Sequence, residues 1–233
     1  MTKRTVPKQA RCCSFACGIL AIFLLTPSPL QAGAMTDQIR AAVEKVVAIL
    51  RDPYLKPDAR KNERQTKLRQ AIEPNFDFEE MAKRSLGFHW QGRSREEQAK
   101  FGILFTHLLE VSYLDKIESY VGEKFLYLRE TQEGGFLEVA SKIIDKKGEE
   151  VAIDYKLHSA DGSWKIYDVL IENISLVNNY RSQLNRILAT TSFDELLTRL
   201  QEKRGKEFGS ERLRLNTIVS YSIMSAAVAA RSR

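Results

Sequence analysis

Apolar positions along the chain follow two different rhythms. From residue 37 to residue 121 they recur every three or four residues, the spacing of one helix face. From 125 to 171 they alternate with polar positions, the spacing of a half-buried strand. Helical spacing then returns until about residue 204.

Within the first regime, Ile39, Val43, Val46, Val47 and Leu50 predict a helix over 37–50, ended by Asp52-Pro53. A strongly charged helix is expected over 59–72, stopped by Glu73-Pro74. Asp77 is placed to cap a short helix reaching Leu86, with Gly87 just past its end. Ser94 and Glu97 form a capping box that opens a long helix toward residue 121. The alternating regime resolves into four strands, 125–131, 136–144, 151–157 and 164–171. The short gaps between them carry Gly134-Gly135, Gly148 and Gly162, so the strands are expected to form an antiparallel meander. Two closing helices are expected over 176–189 and 192–204. Helices, then a meander, then helices describe an α+β domain, with helices packed over a four-stranded antiparallel sheet.

The N-terminus changes the compartment. Lys3, Arg4, Lys8 and Arg11 precede a weakly polar to apolar run from Ser14 to Leu25, then Pro27, Pro29 and Ala32-Gly33-Ala34. That is the order of a secretory leader, with cleavage expected after Ala34. The run is about 12 residues, short of the roughly 20 that span a bilayer. Residues 1–34 are thus read as a signal peptide and 35–204 as the working domain, with 205–233 as a tail. Cys12, Cys13 and Cys17, the three cysteines of the chain, all lie in the leader. The mature chain is therefore expected to have neither a disulfide nor a thiolate metal site.

Processing also removes most of the basic excess. The chain has 36 basic and 30 acidic residues; the leader takes four basic ones, leaving 32 against 30. A net charge of +2 gives no ground for a nucleic-acid partner. What basic character remains lies from Lys203 to Arg233, where seven basic side chains cluster around a short apolar segment at 218–230. That combination is expected to favour anionic membrane surfaces.

Catalytic patterns are not found. His89, His107 and His158 fall on three different predicted elements with no metal-ligand spacing, so no metal is expected. The adjacent pairs Glu79-Glu80, Glu96-Glu97 and Glu149-Glu150 are read as solvated, because neighbours on a helix do not share a face. The chain is read as a non-enzyme. What does stand out is apolar bulk. Phe101, Leu104, Phe105 and Leu108 on the long helix would face Val139, Ile143, Val151, Ile153, Tyr155, Tyr167, Val169 and Ile171 of the meander. The pattern by itself favours an ordinary filled core, and periodicity does not distinguish that from a cavity between helix and sheet.

A resemblance separates the two. The stretch DVLIENISLVNNYRSQLNRIL at 168–188, preceded by Trp164-Lys165-Ile166-Tyr167, closely resembles the signature of the MlaC (toluene-tolerance auxiliary) family. So do Phe76-Asp77-Phe78, Leu86-Gly87-x-x-Trp90, Glu97-Gln98-x-x-Phe101, Tyr113, the run Ser192 to Leu197, and Leu200. These fragments keep their order from about residue 37 to residue 204. The resemblance implies an NTF2-like fold enclosing an apolar cavity, with the twelve residues just named as the lipid-binding wall. It implies a periplasmic phospholipid carrier with no cofactor beyond the lipid cargo. Its partners would be an outer-membrane lipoprotein complex and an inner-membrane ABC transporter with an MCE-type subunit. A related cargo such as a hopanoid, an NTF2-like enzyme and a ligand-free transporter adaptor are the alternatives.

N-terminal sequencing of the protein recovered from a Gram-negative periplasm is expected to start near Met35. An intact leader on a membrane-bound product would contradict this reading.

Overall fold

The computed structural model describes residues 33–120 and 122–202. Nearly all of the expected leader and the whole of the 205–233 tail lie outside the described residues. Helix α1 (Ala34–Arg51) starts three residues before the predicted limit and stops at Asp52-Pro53. A 3-10 turn leads into α2 (Lys61–Ile72), which buries only Leu68 and Ala71. Asp77 caps α3 (Phe78–Leu86), its carboxylate accepting the Glu80 N–H at 2.9 Å. The capping box opens α4 (Arg95–Glu118): Ser94 Oγ accepts the Glu97 N–H at 3.2 Å, and Glu97 accepts the Ser94 N–H at 2.7 Å. This helix ends at Glu118, short of the expected 121.

The sheet has five strands, where four were expected: β1 (Lys124–Glu133), β2 (Phe136–Ile144), β3 (Glu150–Ala160), β4 (Ser163–Ile171) and β5 (Ile174–Ser175). They lie in the order 1-2-3-4-5, each pair antiparallel. The extra strand is two residues long, too short to show any period. It forms because Glu172 and Asn173 both take positive φ, 50° and 63°, which turns the chain tightly back onto β4. The Glu172 side chain reinforces this turn by accepting the Ala152 N–H at 2.6 Å. Ser175 then caps α5 (Leu176–Leu188), and Ser192 Oγ accepts the Glu195 N–H at 3.2 Å at the start of α6 (Phe193–Glu202).

Two bulges decide which side chains face inward. In β1, Tyr127 pairs with Ser141 and Arg129 with Ala140, so Leu128 is the extra residue. In β4, Ile166 pairs with Leu157 and Asp168 with Lys156, so Tyr167 is the extra residue. A bulge shifts the alternation by one position. Ile166, Val169 and Ile171 therefore share the inner face, where strict alternation had set Ile166 against the other two. Tyr167 turns outward, against the expectation. There it meets the Arg84 guanidinium at 4.2 Å, with Phe136 and His158 edge-on at 5.9 and 5.5 Å.

The apolar interior is split. One cluster belongs to α3, α4, α5 and α6 and is built around Phe101, Phe105, Tyr180, Leu184 and Leu196. Its rings interlock: Phe101 stacks on Phe105 at 5.7 Å and Tyr180 meets Phe105 edge-on at 5.4 Å. The other joins Ile39 of α1 to the inner face of the sheet through Val139, Val151, Leu157, Ile166 and Ile171. Phe76 and Tyr113 pack against both.

One polar anchor ties the sheet to the helical cluster, and a second joins two helices within that cluster. The Asp168 carboxylate is 5% exposed and accepts the Ser175 hydroxyl at 2.5 Å and the Val177 N–H at 3.1 Å, at the positive end of α5. Arg181 of α5 donates its Nε to the Arg84 carbonyl at 2.7 Å, near the end of α3. Its side chain runs beside Gly87, which holds φ 62° and ψ −131°. A Cβ at Gly87 would lie 3.5 Å from Arg181 Cδ, in ordinary contact, so the backbone angle is what demands glycine.

Gly87→Ala is accordingly expected to destabilise the fold by about 1–3 kcal/mol. Urea denaturation checks this; an unchanged midpoint would show that the turn relaxes at no cost.

Candidate functional site

A cavity of about 350 Å³ lies between α1, the second half of α4 and the inner face of the sheet. Its lining is almost wholly apolar. The α1 stripe supplies Val43, Val46, Val47 and Leu50 beside Ile39. Only Ile39 of this helix is buried, and the rest of the stripe keeps surface open toward the cavity. An amphipathic helix normally buries such a stripe against protein. Here the stripe forms a wall of a space that protein does not fill.

Helix α4 serves both interiors. Phe101, Phe105 and Leu108 bury in the helical cluster, while Tyr113, Leu114 and Ile117 further along the helix line the cavity. This change of neighbours along one helix explains why its apolar positions cover more than a single stripe.

The twelve expected wall residues therefore separate. Ile143, Ile153, Tyr155, Val169 and Ile171 line the cavity. Val139 and Val151 belong to the packed sheet cluster on the same inner face. Phe101, Phe105 and Leu108 lie in the helical cluster, with Leu104 packed against it. Tyr167 stands on the outer face. The α1 stripe and the second half of α4 were not among the twelve, although their helical spacing is plain in the sequence.

Two phenols sit on the inner face of the sheet. Tyr155 keeps its remaining surface toward the cavity, and burial pushes its hydroxyl well above the ordinary tyrosine range. Burial also pushes Tyr127 up to about 12, and its buried hydroxyl has no hydrogen-bond partner among the described residues. Both are thus neutral at physiological pH, in keeping with an uncharged interior. Ser141, also on this face, is satisfied by donating to the Ile153 carbonyl at 2.6 Å.

Charge enters the lining from three segments. Arg69 and Glu73 come from the end of α2, Glu110 and Lys116 from α4, and Glu123 from the segment before β1. Charged groups also join α2 to α4: Arg64 pairs with Glu118 at 2.6 Å, Arg69 with Glu110 at 3.1 Å and Lys61 with Asp115 at 3.3 Å. The histidines stay apart. His89 stacks on Phe88, His107 lies 3.7 Å from Glu110, and His158 bonds Asp77 at 2.9 Å. Among the described residues no group of His, Cys, Asp or Glu is placed to hold a metal ion. No described helix is long and apolar enough to cross a membrane.

Comparison with known proteins adds three findings. The Haemophilus influenzae intermembrane phospholipid transport system binding protein MlaC is 23% identical over 189 residues, covering 79% of this chain and 88% of that one. The solved structure of a phospholipid-binding protein from Ralstonia solanacearum, in complex with a phospholipid, aligns with a TM-score of 0.64 at 25% identity. That alignment covers 71% of this chain and 94% of the other. The model of the MlaC protein family matches residues 40–202, from within α1 to the end of α6. This chain belongs to the MlaC family.

Proposed function

We propose that the protein is a periplasmic phospholipid carrier of an Mla-type transport system, holding the acyl chains in the cavity beneath α1. The observation that carries this is the half-buried apolar stripe of α1 facing an unfilled apolar space. The lipid in the solved relative supports the same reading. The layout of helices over one sheet face is likewise the ground for reading the fold as NTF2-like.

The energetics favour such a site. Each buried methylene contributes about 0.8 kcal/mol, so two chains of roughly 16 carbons cost on the order of 20 kcal/mol to leave in water. A carrier has only to cover these tails, and aliphatic walls suffice. Neutral Tyr127 and Tyr155 raise no charge against them. Transfer between an outer-membrane lipoprotein complex and an inner-membrane ABC transporter with an MCE-type subunit would then need no chemistry at the site. Cleavage of the leader and docking through the basic tail are parts of the same proposal.

Val46→Asp is expected to abolish lipid retention. It places a carboxylate among acyl chains, where an unpaired charge is costly. Because Val46 is half-buried and borders open space, the lipid-free fold can keep that carboxylate solvated. Circular dichroism should show a folded variant, and lipid extraction should recover little phospholipid from it. A folded Val46→Asp protein with a full lipid load would place the tails elsewhere.

A further inference from the structure

The charged border of the cavity is mixed in sign. Among its charged members, Glu123 is buried and accepts the Gly122 N–H at 3.1 Å, and the Lys116 ammonium lies 5.4 Å from the Tyr113 ring centre. Arg69, Glu110 and Glu73 remain. Arg69 Nε forms an ion pair with Glu110 Oε2 at 3.1 Å, and both side chains keep some exposure to solvent, 35% and 22%. Glu73 follows Arg69 by one helical turn and so lies on the same strip of α2. It is exposed, and among the described residues its carboxylate has no ion-pair partner. A guanidinium paired with one carboxylate, and a second, unpaired carboxylate one helical turn along, thus lie where an apolar cavity meets water.

Building on the carrier reading above, we propose that Arg69, Glu73 and Glu110 read the lipid headgroup and select a zwitterionic phosphoethanolamine over an anionic phosphoglycerol. A phosphate arriving at the border is drawn to the Arg69 guanidinium, a planar donor suited to phosphate oxygens. In taking it, Arg69 gives up Glu110. A phosphoglycerol headgroup then leaves two carboxylates facing a phosphate with no cation in exchange. A phosphoethanolamine headgroup brings its own ammonium, which replaces Arg69 as the partner of Glu110 and supplies one for Glu73. The exchange leaves the number of opposite-charge contacts unchanged for the anion and raises it for the zwitterion. For half-solvated pairs the resulting preference is about fivefold.

The test is competitive loading of the purified full-length chain. It uses vesicles of equal parts phosphatidylethanolamine and phosphatidylglycerol with identical acyl chains, and protein-bound lipid is quantified by mass spectrometry. The wild type is expected to carry about five times more phosphatidylethanolamine. Glu73→Gln and Glu110→Gln should each lower that ratio, and Glu73→Lys should carry it below one. Glu63→Gln, on α2 but away from the cavity lining, should leave it unchanged. A wild-type ratio of one, or a preference that persists in both glutamine variants, overturns the headgroup proposal and leaves the carrier reading standing. A wild type that takes up neither lipid overturns the carrier reading, and the headgroup proposal with it.

Discussion

A hollow lined by aliphatic side chains tends to close, because every contact its walls gain is favourable. It stays open only if the walls are fixed by something other than each other. In this chain the fixing element is the helical cluster of α3, α4, α5 and α6, with its interlocked aromatic rings around Phe101 and Phe105. Helix α4 leaves that cluster midway and carries Tyr113, Leu114 and Ile117 out as one wall. The sheet is fastened to the same cluster by the Asp168 carboxylate at the start of α5. Two of the walls, α4 and the sheet, therefore hang from one packed body.

The anchors also explain the chemistry of the signature stretch from Asp168 to Arg181. Asp168 is buried at a helix N-terminus, Ser175 caps that helix, and Arg181 bonds the Arg84 carbonyl while running beside Gly87. None of these three side chains lines the cavity. They set where α5 lies, and through it where the inner face of the sheet points. Asp168, Ser175 and Arg181 thus hold the container, while its lining is mostly ordinary Val, Ile and Leu side chains.

Much of this could be read from the residue pattern. The Ser94 capping box, the Asp77 cap and the antiparallel order of β1 to β4 follow from short-range chemistry that the pattern displays. What escaped it was set at longer range. Tyr167 faces outward because of a bulge that no local residue announces, and the same bulge brings Ile166 onto the wall. Phe101 and Leu108 face the other helices and not the sheet because α4 changes neighbours along its length, which residue spacing does not display. The α1 stripe was visible as a stripe, yet its partner was not, since an unfilled space leaves no periodicity of its own. Strand β5 was too short to see.

The central claim is that the space beneath α1 carries phospholipid tails, and the lipid content of the native protein tests it most directly. Protein purified from a Gram-negative periplasm without detergent should yield near-stoichiometric phospholipid on organic extraction. Native mass spectrometry should show the matching increase in mass. A folded, monodisperse preparation that carries no lipid, and takes none from vesicles, would contradict the account.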